Sequence, residues 1–393
     1  MNQLTPTRSL RRVVAALASV AVLAGACGSD DDGPSSDAID DAVETYAAGV
    51  YASYEASLES AEAMDVAIDA FLADPTDGTL DAAKDAWLAA RDDYGPTEAF
   101  RFYGGPIDDE ETGPEGLINA WPLDEGYIDY VEGNDSAGII NDPDTFPTID
   151  ADLLVSLNED GGEANISTGW HAIEFLLWGQ DLSLDGPGAR PVSDYTDAAN
   201  ADRRGEYLAV ASDLLLVHLG DMVDAWAPDA DNYRAEFLGE DRNEALRRII
   251  TGIGELSRGE LAGERMNVAY SERSQEDEHS CFADNTTADI IGNARGIEMV
   301  LKADYPGGVT GTSILDLFED ADSDLAEQLE SEVDASLEAV RAIPAPFDQH
   351  LVDGVSDDDP GRMAILTGIN ALGAQTDTIV AAALAIDVAI EVS

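Results

Sequence analysis

His171 and Glu174 stand three residues apart in Gly169-Trp170-His171-Ala172-Ile173-Glu174, with Ile173, Leu177 and Trp178 close by. On a helix that spacing puts both side chains on one face, about 5–6 Å apart at Cβ. An imidazole and a carboxylate so placed can share a metal ion, or the carboxylate can hydrogen-bond the ring and tune it. Apolar neighbours strengthen either interaction by excluding water. The same spacing also fits a buried histidine satisfied by its carboxylate, with no ligand at all.

A second group runs from Ser271 to Thr286, where five acids, His279 and Cys281 fall within sixteen residues. Oxygen donors such as Glu278 and Asp284 suit a hard cation, and a histidine among them suits iron or zinc. A run of acids is equally the ordinary look of a solvated face in so acidic a chain. Asp284-Asn285-Thr286 reads as a helix start, and Cys281 as a small buried apolar residue. A third group, Arg91, Tyr94, Glu98, Arg101 and Phe102, steps by three or four along one expected helix. A buried arginine there needs a carboxylate, so ion pairing is its default reading, ahead of ligand binding. His218 and His350 stand alone and receive no role. The chain has no HExxH pair, no GxSxG elbow, no phosphate-cradling glycine loop and no CxxC site.

The elements that must position these groups are helical. Apolar residues recur at three- and four-residue steps from Ile39 to Leu72, ended by Asp74-Pro75, and again from Leu80 to Phe102. Further helices are expected over about 168–179, 204–226, 240–270, 287–304, 313–341 and 360–390. Strand-like alternation is scarce, so the fold class is all-α, built of two bundle-like halves over 38–235 and 236–393. Tyr103 to Leu157 is rich in Gly, Pro and acids and predicts a long irregular excursion across one end of the first bundle. Gly169–Trp178 can be laid over Asn293–Lys302 with their Ile-Glu pairs in register, which suggests an internal duplication or a chance likeness of two amphipathic helices.

Arg8, Arg11 and Arg12 precede an apolar run, Val13 to Ala26, that is too short to span a bilayer. Leu23-Ala24-Gly25-Ala26-Cys27 resembles a lipobox, with Ala where Leu is usual three residues before the cysteine. The expectation is a signal peptide over 1–26, lipid on Cys27, a tether over 27–37, and a mature protein anchored on the outer face of the membrane. Arg11-Arg12 leaves the export route open between the general and twin-arginine systems. Loss of the leader deletes three arginines and no acid, moving the formal charge from −61 to −64. That charge repels nucleic acid and anionic lipid headgroups, and its plainest reading is adaptation to salty surroundings.

Gly169-Trp170-His171-Ala172-Ile173-Glu174-Phe175-Leu176-Leu177-Trp178-Gly179 resembles the GxHxxE signature of the imelysin family. The likeness extends to Glu98–Tyr103, to Asn119–Glu125 and to Ser274–Thr286, in the family's order, and is strongest toward its iron-regulated branch. Thr287 stands where that pattern has His, and Ala283 where it has Ser. The resemblance implies two bundle-like helical halves, with the GxHxxE helix near their interface, in an extracytoplasmic protein tied to iron uptake. It implies a metal ion, iron ahead of zinc, or a small iron-containing ligand. His171 and Glu174 are the expected ligands from the motif, and Glu278 or Asp284 would complete the site. Glu98, Arg101, Asp124, Asp277 and His279 are further candidates. The family's association with metallopeptidases offers a second reading, and a structural or partner-docking lipoprotein a third. A zinc peptidase needs about three protein ligands and a general base. Phe175 occupies the place where an HxxEH motif would supply another histidine, so that reading is chemically thin.

Overall fold

Ser35 starts the first helix by accepting the Ala38 N–H, and α1 then runs over Ser36–Ala73, burying Val43, Tyr46, Val50, Tyr54, Met64, Ile68 and Phe71. The computed structural model describes residues 33–393 except Asp353, so the expected leader and Cys27 lie outside the described residues. Thr76 and Thr79 form a reciprocal cap on α2, Asp77–Tyr94, which buries Trp87, Arg91 and Tyr94. The helix expected to reach Phe102 tightens instead into a 3₁₀ turn over Gly95–Phe100, because Pro96 supplies no N–H for a continuing α-helix.

The remaining long elements are α3, Gly169–Trp178; α4, Ala201–Trp226; α5, Arg242–Glu255, continued by a π-helical segment Leu256–Val268; α6, Thr286–Lys302; α7, Ser323–Arg341; and α8, Pro360–Ala385. The single helix expected over 313–341 is two, because Asp322 turns out of the helix and caps α7 by accepting the Leu325 N–H. Among the described residues the chain is all-α, with only the isolated bridges Val131–Asn134 and Tyr305–Val309. No described helix is long and apolar enough to cross a membrane.

Helix α1 packs on α2 and α4, α7 packs on α8, and α6 lies across the 3₁₀ turn. That crossing is close: a Cβ on Gly296 would stand 2.4 Å from the Pro96 carbonyl oxygen, so only glycine admits it. It carries the first turn of α6 up to the end of α2. These contacts run through both expected halves, and Gly33–Ser393 forms one compact unit. The excursion after Tyr103 holds only short helices. It is pinned where Asp129 accepts both Arg190 (2.8 Å) and Arg204 (2.6 Å), all three buried.

Candidate metal centre

Gly169 opens α3 with φ +81°, and a Cβ there would fall 2.3 Å from the Ile118 carbonyl oxygen. The glycine of the GxHxxE pattern is therefore a backbone requirement that seats the helix against the excursion. Gly169→Ala is expected to cost at least about 2 kcal/mol from left-handed strain and overlap. Urea denaturation measures it, and a loss below about 0.5 kcal/mol, the range of a neutral surface change, would remove this role.

Every residue of α3 is buried. His171 Nδ1 lies 2.9 Å from Glu174 Oε2, as the three-residue spacing predicts. The other face of the ring meets a second histidine: His171 Nε2 and His279 Nε2 are 3.1 Å apart. His279 Nδ1 is in turn 2.8 Å from Asp289 Oδ2, in the first turn of α6. The result is a buried row, Glu174, His171, His279, Asp289, in which each imidazole has a carboxylate behind its Nδ1. Trp121 stands edge-on to both rings, 4.8 Å from His171 and 5.9 Å from His279 by centroid.

A network of ion pairs fixes the row from outside. Asp289 accepts Arg91 (2.7 Å), the Ser280 hydroxyl and the Asn285 amide (3.0 Å). Arg91 also donates to Asn119 (2.7 Å), whose amide donates to Glu98 (3.2 Å). Glu98 accepts Arg101 and Arg265, each at 2.6 Å, and the Tyr94 hydroxyl at 2.8 Å. The Glu174 Oε1 accepts the Ala283 N–H at 2.9 Å.

These partners set the charges. Burial would raise Asp289, but Arg91 and the His279 hydrogen bond outweigh it and hold the carboxylate well below its ordinary range. Glu98 is held low in the same way by Arg101 and Arg265. Glu174 has no cation beside it, and burial pushes it well above the usual carboxylate range. Burial lowers both histidines, His171 further through His279 and His279 through Arg265, the latter to about 4. Both rings are therefore neutral near pH 7, the form that binds metal.

His279, Trp121, Asn119, Arg101 and Arg265 also border a cavity of about 320 Å³ whose lining carries Glu115, Glu159, Glu260, Glu264 and Asp277. The donor chemistry fits a metal ion. Two Nε2 atoms at ordinary bond lengths of about 2.0–2.1 Å on a tetrahedral ion stand about 3.3–3.4 Å apart, close to the observed 3.1 Å.

The structure sorts the expected residues as follows. It brings His171 and Glu174 together and adds His279, which sequence reasoning held as a lesser candidate. Glu174 lies behind the ring, in the position of an orienting partner, with both oxygens engaged. Glu278 and Asp284 do not join this row; Glu278 accepts the Thr286 hydroxyl (3.1 Å), and Asp284 lies with Asp181 and Asp348. Glu98 and Arg101 stand one shell further out, Asp277 lines the cavity, and Asp124 caps the short helix Glu125–Ile128 at the surface. Cys281 is a buried free thiol, and Thr287 is buried with its hydroxyl unpartnered. Asp289 and Arg265 were missed, because one more acid in an acidic chain and a lone arginine on a different helix carry no signal in sequence.

Known proteins resemble this chain along nearly its whole length. It is 27% identical over 382 residues to iron-regulated protein A of Synechococcus elongatus, covering 94% of this chain and 92% of that one. Its fold matches the crystal structure of an iron-regulated protein A precursor from Parabacteroides distasonis, with TM-score 0.68, 20% identity, and 88% and 96% of the two chains covered. An imelysin-like protein from Psychrobacter arcticum matches with TM-score 0.63 and 13% identity over 91% and 98%. The Imelysin (Peptidase_M75) family model matches residues 50–379, and the chain belongs to that family.

Proposed function

We propose that this protein binds an iron ion as cargo between the Nε2 atoms of His171 and His279, in the service of iron uptake. The observation that carries the reading is the 3.1 Å approach of the two imidazole Nε2 atoms, each ring held from behind by a carboxyl group at Nδ1. Glu174 and Asp289 act behind the rings, where a carboxylate on Nδ1 fixes orientation and raises the basicity of Nε2. The acid-lined cavity beside His279 gives a cation a favourable approach. Imidazole donors suit iron, zinc and copper alike; the iron-regulated relative favours iron. The expected lipid on Cys27 would hold the protein on the outer face of the cell membrane, where a transport partner could receive the ion. Binding is favoured over peptide hydrolysis because Glu174, the carboxylate beside the rings, has both oxygens engaged and is not free to activate water.

Anaerobic calorimetry with ferrous ion, and parallel titrations with zinc, test this reading. One saturable site is expected in the wild-type chain and none in His171→Ala or in His279→Ala. Absence of saturable heat in the wild type, or binding unchanged in the two variants, would sink it.

A further inference from the structure

We propose that Asp181, Asp284 and Asp348, with Glu278 beside them, form a second and separate cation site that takes a hard divalent ion of the calcium class. The three aspartates each offer an oxygen, and these oxygens lie within 4.8 Å of one another. Ligands on opposite sides of one calcium ion stand up to about 5 Å apart, given bonds of about 2.3–2.6 Å. The donors are all oxygen, with no nitrogen or sulfur, which selects hard cations over zinc or copper.

The second observation is independent of the clustering. Asp348 Oδ2, Asp284 Oδ1 and Glu278 Oε1 are each buried with no hydrogen-bond partner, and the Asp348 and Glu278 residues are 0% and 1% exposed. Buried carboxylate oxygens left unpaired are costly, and native structures normally satisfy them. Asp348, Glu278 and Asp181 are held in orientation by hydrogen bonds to their carboxylates. Asp348 Oδ1 accepts the Gln349 N–H (2.7 Å), and Glu278 Oε2 accepts the Thr286 hydroxyl (3.1 Å). Asp181 accepts the Ser183 N–H (3.0 Å) and the Gln275 amide.

Among the described residues no lysine or arginine forms an ion pair with the group, and the one histidine that acts on it, His350 on Asp348, is itself paired with Asp359. The nearby candidates are committed elsewhere: Arg273 and Arg362 to Asp357, His350 to Asp359, and Arg190 to Asp129 and Asp194. The electrostatic consequence agrees with the geometry. Burial, and then the other acids of the group, raise Asp181 to about 6 and Asp284 to about 7, and Asp348 is the charge that Glu278 feels most.

The ion would tie together three segments distant in sequence: the turn after α3, the 274–285 loop that carries His279, and the stretch before α8. It would act as a structural clamp, and Glu278 and His279 would serve adjacent but different sites.

Thermal denaturation of the full chain, stripped with chelator and held in high sodium chloride to screen general charge effects, tests the assignment. Saturating calcium chloride is expected to raise Tm by about 4 °C, and magnesium chloride by clearly less. Asp284→Asn/Asp348→Asn is expected to melt above the wild type in chelator, since it relieves like-charge repulsion, and to gain nothing from calcium. His171→Ala should keep the calcium response, so loss of iron binding and loss of this site read out separately. A wild-type Tm that calcium leaves unmoved, an equal response to magnesium, or a full calcium response in the double variant would overturn the proposal.

Discussion

Arg91→Ala is expected to destabilise the protein by about 3–5 kcal/mol, the cost of removing one partner from a fully buried ion pair. Both side chains of the Arg91–Asp289 pair are essentially buried, at 1% and 2% exposed. Truncation would leave the Asp289 carboxylate in an apolar interior with only the Ser280 hydroxyl, the Asn285 amide and His279 as donors. The guanidinium also lies 5.3–5.7 Å from the ring centroids of Trp87, Tyr94 and Trp170, so packing is lost together with charge. Arg91→Lys is expected to recover only part of the loss. An ammonium cannot reproduce the fork that reaches Asp289 with two nitrogens and Asn119 with a third. Denaturant titration at pH 7 measures both variants. A cost below about 1 kcal/mol for Arg91→Ala would show the pair to behave as an exposed one.

The contrast between what could and could not be read in advance follows from range. Helices such as α1 and α3 were legible because their cues are local: apolar steps of three and four, the Asp74-Pro75 stop, and the His171–Glu174 face. Breaks were less legible. Asp322 looks like any surface acid until it caps α7, and Pro96 in an otherwise helical run does not by itself say whether the chain stops, bends or tightens. The centre was half legible. His171 and Glu174 share a turn, whereas His279 is 108 residues from His171 and Asp289 is 198 from Arg91. The close, glycine-mediated crossing of α6 helps bring Arg91 and Asp289 together. Composition worked against Asp289, Asp181 and Asp348: in a chain with 81 acids, an acid's position says little until its partners are known. Proximity in sequence misled as well. Glu278 and His279 are adjacent, yet one belongs with the carboxylate group and the other with the imidazole pair.

Iron binding at the imidazole pair is expected to release up to about one proton per ion and so to weaken as the pH falls, by at most about tenfold per unit. The charge states of the row fix where the protons sit. Burial raises Glu174 and favours its protonated form, lowers both histidines toward the neutral form, and Arg91 keeps Asp289 ionised. The consistent arrangement has the Glu174 carboxyl donating to His171 Nδ1, His171 Nε2–H donating to His279 Nε2, and His279 Nδ1–H donating to Asp289. Both Nε2 lone pairs become available only when the Nε2 proton leaves and His171 takes up the Glu174 proton at Nδ1. The sum is one proton lost to solvent, from a carboxyl that is neutral before binding and ionised after it. Acid therefore opposes binding, and base favours it. Glu174→Gln removes that proton from the account: the amide can orient His171 as donor or as acceptor, so the ring changes tautomer with no net release. Calorimetry in two buffers of different ionisation heat counts the protons directly, with up to about one expected for the wild type and about none for Glu174→Gln. A wild-type count near zero, or a count the substitution leaves unchanged, would break the link between the Glu174 carboxyl and the state of the paired rings.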